Sequence, residues 1–341
     1  MKRTTLCILA VFLCAASTQP DRRWEIAFTS PDKALSRNAV TPERMLVRVI
    51  RGCVSTFCGA FYDLSSMNVC KELVAAANRG VDVRLVTDDD NFSGDCVTML
   101  LEAGIPVVHD EGAGLMHNKF AVIDGETVFT GSYNTTDNGE TRNNNNALVF
   151  HSREMAEIYL AEFDEMFSEG IFGNRRESGP FAGLNKRYHV EVDGIDINVY
   201  FAPEDNVEKI IYNRISKAGK SVYFMYFSFT SDQIGELLID MHSKGLKVAG
   251  VIESRGSGSE HSEYTKLKIE GVHVKKDVNR HVMHHKVIII DGHTVITGSY
   301  NLSGNASMKN DENLLVINSG EIARIYMEEF NRIYPGGKKW E

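Results

Sequence analysis

A chain of 341 residues with 43% hydrophobic and 24% charged side chains has an ordinary globular composition. That length leaves room for about two domains with sizeable cores. The formal charge of −9 argues against a protein that coats nucleic acid non-specifically, unless a local basic groove overrides it.

The N-terminus reads as an export signal. Lys2 and Arg3 precede an apolar run from Leu6 to Ala16, and Ala15-Ala16-Ser17 supplies small residues for cleavage after Ser17. The run is too short to span a bilayer, which takes about 20 residues, and no later stretch is long and apolar enough. Residues 1–17 are therefore expected to leave as a signal peptide. The mature protein would be secreted or periplasmic, and more acidic by the loss of Lys2 and Arg3. Cys7 and Cys14 would leave too. Cys53, Cys58, Cys70 and Cys96 stay, and in an exported protein they predict one or two structural disulfides with the pairing open. No C-x2-C pair is present to suggest zinc.

The body divides at 22–168 and 188–335, with a Gly-, Asn- and Arg-rich linker at 169–187. The two parts are copies. Met45–Ser66 aligns without gaps on Ile210–Ser231, each an apolar-periodic helix followed by a buried-strand run. In each copy there follow a helix ending at Gly80 or Gly245, a strand, a polar loop (Asp88–Asp95, Glu253–Glu263) and a further helix. A Gly104 or Gly271 turn, a short strand and an Asp-Gly hairpin come next. A last strand and helix close each copy. Alternating strands and helices predict two similar α/β sandwich domains, mixed sheets flanked by helices. A pseudo-two-fold axis would bring them to one shared active site.

The hairpins carry the chemistry. His117–Asn134 reads HNKFAVIDGETVFTGSYN and His284–Asn301 reads HHKVIIIDGHTVITGSYN, identical at 12 of 18 positions in the frame H-x-K-x4-D-x6-G-S-x-N. One such histidine would pass for a surface or core residue; two in matched contexts point to function. A neutral imidazole can attack phosphorus and a protonated one can donate to a departing alkoxide. Lys119 and Lys286 would neutralise the non-bridging oxygens. Ser132, Asn134, Ser299 and Asn301 offer hydroxyl and amide donors to the same phosphate, and the glycine before each serine allows close backbone approach. Asp124 and Asp291, in the turns, are read as structural. Twenty-eight residues after the histidines stand Asn145 and Glu312. A carboxylate raises the pKa of an imidazole it orients. On that reasoning His284, backed by Glu312, is the general acid, and His117, backed by Asn145, the nucleophile; a carboxylate also makes an imidazole more nucleophilic, which argues the other way.

The pattern resembles the phospholipase D superfamily across both copies, roughly Glu25–Phe167 and Asn198–Tyr334. The resemblance implies a phosphohistidine mechanism without metal or cofactor, with His117, Lys119, His284, Lys286 and Glu312 catalytic and the two Ser-Asn pairs on the phosphate. It also implies that the N-terminal histidine is the nucleophile, while Asn145 departs from the usual acid. An acidic exported body, acids in the two polar loops and the aromatic run Tyr223–Phe229 favour a phospholipid at a membrane surface, although those aromatics read mainly as core. Nucleic acid is the alternative substrate, with Arg175, Arg176, Lys186 and Arg187 as its candidate track. An inactive phosphate- or lipid-binding module is the non-enzyme alternative.

Overall fold

The computed structural model describes residues 22–31, 39–112, 114–173 and 188–341. The segment read as a signal peptide and most of the linker, with its four basic residues, lie outside the described residues.

The first half runs β1 (Trp24–Phe28), α1 (Pro42–Gly52), β2 (Thr56–Phe61), α2 (Met67–Asn78), β3 (Asp82–Thr87), α3 (Asp95–Glu102), β4 (Val107–His109), β5 (Lys119–Ile123), β6 (Thr127–Gly131), α4 (Asp137–Thr141), β7 (Asn146–His151) and α5 (Arg153–Glu169). The second repeats it after an added hairpin strand: β8 (His189–Val192), β9 (Ile195–Ala202), α6 (Val207–Ile215), β10 (Ser221–Tyr226), α7 (Asp232–Ser243), β11 (Lys247–Ile252), α8 (Glu263–Ile269), β12 (His273–Lys276), β13 (Lys286–Ile290), β14 (Thr294–Gly298), α9 (Gly304–Met308), β15 (Glu312–Asn318) and α10 (Gly320–Ile333). Helix starts match side-chain caps. Ser66 and Ser231 accept from Val69 N and Ile234 N at α2 and α7, and Ser152 and Ser319 do the same at α5 and α10. Gly80 (φ 94°) and Gly245 (φ 89°) take the left-handed positions after α2 and α7.

The sheets are mixed. The first has the order β1-β7-β6-β5-β2-β3-β4 and the second β12-β11-β10-β13-β14-β15-β9-β8. Strands β2, β3 and β4 run parallel, as do β10, β11 and β12, while the motif hairpins β5–β6 and β13–β14 are antiparallel. One face of each sheet packs under its own helices, with Leu46, Leu73 and Leu100 in the first half and Ile211, Leu238 and Leu267 in the second. The other two faces share a central core in which Phe120, Tyr159 and Phe163 meet Phe201, Met225, Ile289 and Tyr326. The Tyr159 and Phe201 rings meet edge to face across the halves at 5.3 Å. Burial of each such side chain is worth ~1.5–3 kcal/mol, so this core docks the halves firmly. The run Tyr223–Phe229 is mostly buried: Tyr223 and Met225 face this central core, and Phe224, Tyr226 and Phe229 the layer under the second half's helices.

The turn aspartates are structural. Asp124 and Asp291 both sit at φ 54°, at the end of the hairpin strand away from the lysine. Asp124 accepts from Val54 N, Ser55 N, Ser55 Oγ and Thr56 N, and Asp291 from Gly219 N, Lys220 N and Ser221 N. Each pins the loop that feeds the neighbouring strand. Among the cysteines, Cys70 and Cys96 form a disulfide that ties α2 to α3, and Cys53 and Cys58 are buried free thiols.

Candidate active site

The two motif strands start side by side at the junction of the halves. Short cross-bridges set their entry: His117 N donates to Asp311 O at 3.0 Å, and His284 N to Asn144 O at 2.9 Å. Met116 pairs with Asp311 and Asn144 with Met283 as isolated bridges. Each histidine is thus held in register by the segment that precedes β15 or β7 of the opposite half.

The side-chain partners cross over in the same way, and this corrects the sequence pairing. Glu312 Oε2 lies 2.7 Å from His117 Nδ1, while Asn145 Oδ1 lies 2.9 Å from His284 Nδ1. The departure from the family pattern therefore falls on His284, not on His117. The alignment places Glu312 in the repeat of His284, but docking of the halves points it at the other histidine. His284 Nδ1 also has Ser132 O at 3.1 Å. Ser299 Oγ donates to Glu312 Oε2 at 2.6 Å and Ser132 Oγ to Asn145 Oδ1 at 3.2 Å. The motif serines thus steady the groups behind the histidines.

Both histidines are nearly buried, at 6% and 7% exposure, and both lysines are at 1%. Burial, then Lys119 and Lys286, hold His117 well below the ordinary imidazole range. Burial, Lys286, Lys119 and His117 do the same to His284. The two histidines and two lysines are close enough to act on one another electrostatically, which is the convergence a shared site requires. Lys119 and Lys286 donate to the carbonyls of His117 and His284 at 2.6 and 2.9 Å. Burial, against the pull of Glu312, Asp63 and Asp88, brings Lys119 down to about 7. Burial and Lys119 push Lys286 down well below its usual range. Burial raises Glu312 to about 7 in spite of Lys119. A buried spot that crowds two ammonium groups becomes favourable when an anion lies between them. The geometry suits a phosphate.

Asn134 and Asn301 follow the serines at the rim, and their Oδ1 atoms have no hydrogen-bond partner among the described residues. Gly131 (φ 147°) and Gly298 (φ 149°) show why glycine is needed before each serine. A Cβ there would lie 2.4 Å from Asn146 O or 2.3 Å from Asn313 O.

Several contributors escaped the sequence reading. Tyr62 and Phe227, at matched positions, set their rings edge-on to His117 and His284 at 5.0 and 4.9 Å. The same rings lie 5.0 Å from Lys119 Nζ and Lys286 Nζ. Asp88 and Glu253 open the polar loops and accept from Met116 N and Met283 N at 2.9 and 2.6 Å, fixing the residue before each histidine. The variable residue of H-x-K bridges the halves: Asn313 Nδ2 donates to Asn118 Oδ1 at 3.0 Å, and Asn146 Nδ2 lies 3.1 Å from His285 Nδ1. Glu329 meets His285 Nε2 at 2.9 Å. The signal was in the alignment, since Tyr62 and Phe227, Asp88 and Glu253, and Glu162 and Glu329 occupy equivalent places in the two copies.

Comparison with known proteins identifies the family. Residues 46–167 and 211–334 each match the family model described as cardiolipin synthase, PLD-like domain. A mitochondrial cardiolipin hydrolase of Xenopus tropicalis is 36% identical over 143 residues, covering 40% of this chain and 63% of that protein. A phospholipase D of Rickettsia conorii is 30% identical over 146 residues, covering 42% of this chain and 73% of that protein. The chain spans 56–63% of the length of the cardiolipin hydrolases from the two Xenopus species and Mus musculus. The structure of phosphatidylserine synthase from Haemophilus influenzae Rd KW20 matches with a TM-score of 0.65 at 13% identity, covering 84% of this chain and 83% of that one. That match speaks to the fold alone. With two matched domains, each carrying an intact His-Lys pair at their junction, the chain belongs to the phospholipase D superfamily.

Proposed function

We propose that the protein is a secreted phosphodiesterase that hydrolyses the head-group ester of a phospholipid through a phosphohistidine on His117. The observation that carries this reading is the crossed seating of the two imidazoles. His117 Nδ1 faces Glu312 at 2.7 Å; in the tautomer that a carboxylate selects, Nδ1 carries the proton and Nε2 keeps its lone pair to attack phosphorus. As the P–N bond forms the ring becomes cationic, and Glu312 stabilises that charge. The P–O bond to the head group breaks, and the alkoxide takes a proton from the His284 imidazolium, which forms once the phosphate anion offsets the burial and the two lysines that otherwise keep this ring neutral. Because His284 rests on the amide of Asn145 and a carbonyl, its imidazolium lacks a carboxylate to stabilise it and is the stronger proton donor. Water then attacks the phosphorus, His284 accepts its proton, and His117 is released. Lys119, Lys286, Asn134 and Asn301 hold the non-bridging oxygens through both steps. The assignment of roles matches the sequence expectation but for the opposite reason: the carboxylate belongs to the nucleophile.

A lipid substrate is supported by the net charge of −9 and by relatives named for phospholipid hydrolysis. The test is to incubate the mature protein, with EDTA present, against phosphatidylcholine vesicles and plasmid DNA in parallel. Choline release without nicking is the expected result. Nicking alone selects a nuclease, and no cleavage of either overturns the reading in favour of a binding module.

A further inference from the structure

Beside Asn134, on the first half's side of the catalytic junction, lies a cavity of about 700 Å³, whose wall includes Asp63, Asp137, Arg142 and Asn143. Two features give it a direction. First, Arg142 and Asn143 run straight into Asn144 and Asn145, the pair that holds His284 by its backbone and its ring. Asp63, in turn, lies beside Lys119, so a group in the cavity borders the phosphate held by Lys119 and Asn134, and the cavity's polar wall suits the head group rather than the acyl chains. Second, the duplication has diverged here. Asp63, Asp137 and Arg142 correspond to Ser228, Gly304 and Lys309 in the second copy. The first-half mouth thus carries one net negative charge and its counterpart one net positive charge.

We infer that this cavity receives the leaving alcohol, and that Asp63 and Asp137 make it reject an alcohol bearing a second phosphate. This rests on the phosphodiesterase reading above and narrows its substrate. The favoured lipids carry a neutral or ammonium head group, while cardiolipin and polynucleotides, whose leaving groups keep another phosphodiester, are disfavoured. The chain would then differ in selectivity from the cardiolipin hydrolases it resembles. The physical argument is electrostatic. Asp63 is half-buried beside Lys119, and burial raises its pKa despite a hydrogen bond from Ser65 and the nearby ammonium. A carboxylate so placed loses more when a second anion approaches and gains when a cation does. Asp137 adds its charge from the exposed first turn of α4. Arg142 offsets only one of the two, and its Nη1 is directed to Asn138 Oδ1 at 3.0 Å.

The experiment compares kcat/KM for phosphatidylethanolamine and cardiolipin in mixed micelles of a neutral detergent, using the full mature chain. The wild type should prefer phosphatidylethanolamine. Asp137→Asn should reduce that preference about fivefold, the scale of one partly exposed charge contact, and Asp137→Lys should reduce it further. Asp63→Asn should act in the same direction, and 0.5 M salt should shrink the wild-type preference. Equal or greater wild-type activity on cardiolipin, or a ratio indifferent to Asp137→Lys, overturns the inference while leaving the enzyme reading intact. Failure of the wild type to cleave either lipid overturns both.

Discussion

Replacing Glu312 by Gln is the most informative single change at this site. The carboxylate is fully buried, lies 2.7 Å from His117 Nδ1, and accepts from Ser299 Oγ at 2.6 Å and Asn310 Nδ2 at 3.2 Å. Glutamine keeps the shape and can still accept from His117, as Asn145 does for His284, so the fold should hold. What disappears is the negative charge that stabilises the cationic ring in the P–N transition state. A hydrogen bond to a charged group is worth ~1.5–3 kcal/mol against ~1 kcal/mol for a neutral pair, so the exchange costs ~0.5–2 kcal/mol, roughly 2–30-fold in kcat. Rapid-quench kinetics on a lipid with a chromogenic head group would read it as a slower first turnover. The pH profile gives an independent check. With Glu312 raised to about 7 and required as the anion, activity should rise as pH climbs through 7. With Lys119 lowered to about 7 and required as the cation, it should fall again above that point. The E312Q variant should lose the acid limb and keep the alkaline one. A variant with wild-type first-turnover rate, or with an unchanged acid limb, would refute the role of Glu312.

Two further outcomes follow from the same electrostatics. Lys286→Met should abolish turnover yet raise Tm by ~2–4 °C at pH 7, since removing one repelling buried ammonium gains ~1 kcal/mol. The folded pKa of Lys286 is depressed, so its cost is greatest at low pH and fades as the pH approaches the ordinary lysine value of 10.5; thermal melts of both proteins between pH 6 and 10 should converge. Asp124→Asn should leave the active site intact but weaken the fold. Although burial works against it, hydrogen bonds from Ser55, Thr56 and Val54 hold its carboxyl down at about 2 instead of 3.8. Its stabilisation is therefore full above pH 4 and is lost as the pH falls toward 2, so urea melts of wild type and variant should differ at pH 7 and merge near pH 2.

The duplication made much of this legible. Matched periodicity located the helices, Asp-Gly located both hairpins, and the repeated H-x-K and G-S-x-N frames located the two halves of the site. The pairing of Glu312 was misread for a definite reason. A repeat alignment shows which residues are equivalent, not which copy a side chain faces after docking. Here the backing residues stand at the head of β7 and β15, strands that present them across the junction. Tyr62, Phe227, Asp88 and Glu253 were visible as matched positions, but nothing in their chemistry alone ties an aromatic ring or a loop acid to a phosphate. Only the strand ends bring them beside the histidines. The run Tyr223–Phe229 carried the reverse lesson. Its lipid-like character serves the core, and only Phe227 reaches the site.

The central claim is that both imidazoles serve one phosphorus, with His117 as the atom that bonds to it. Quenching the wild-type protein in alkali during turnover of a phosphorus-labelled phospholipid, then mapping the peptides, tests this directly. Label on the peptide containing His117 is the predicted result; label on the His284 peptide, or turnover with no trapped phosphohistidine on either, would contradict it.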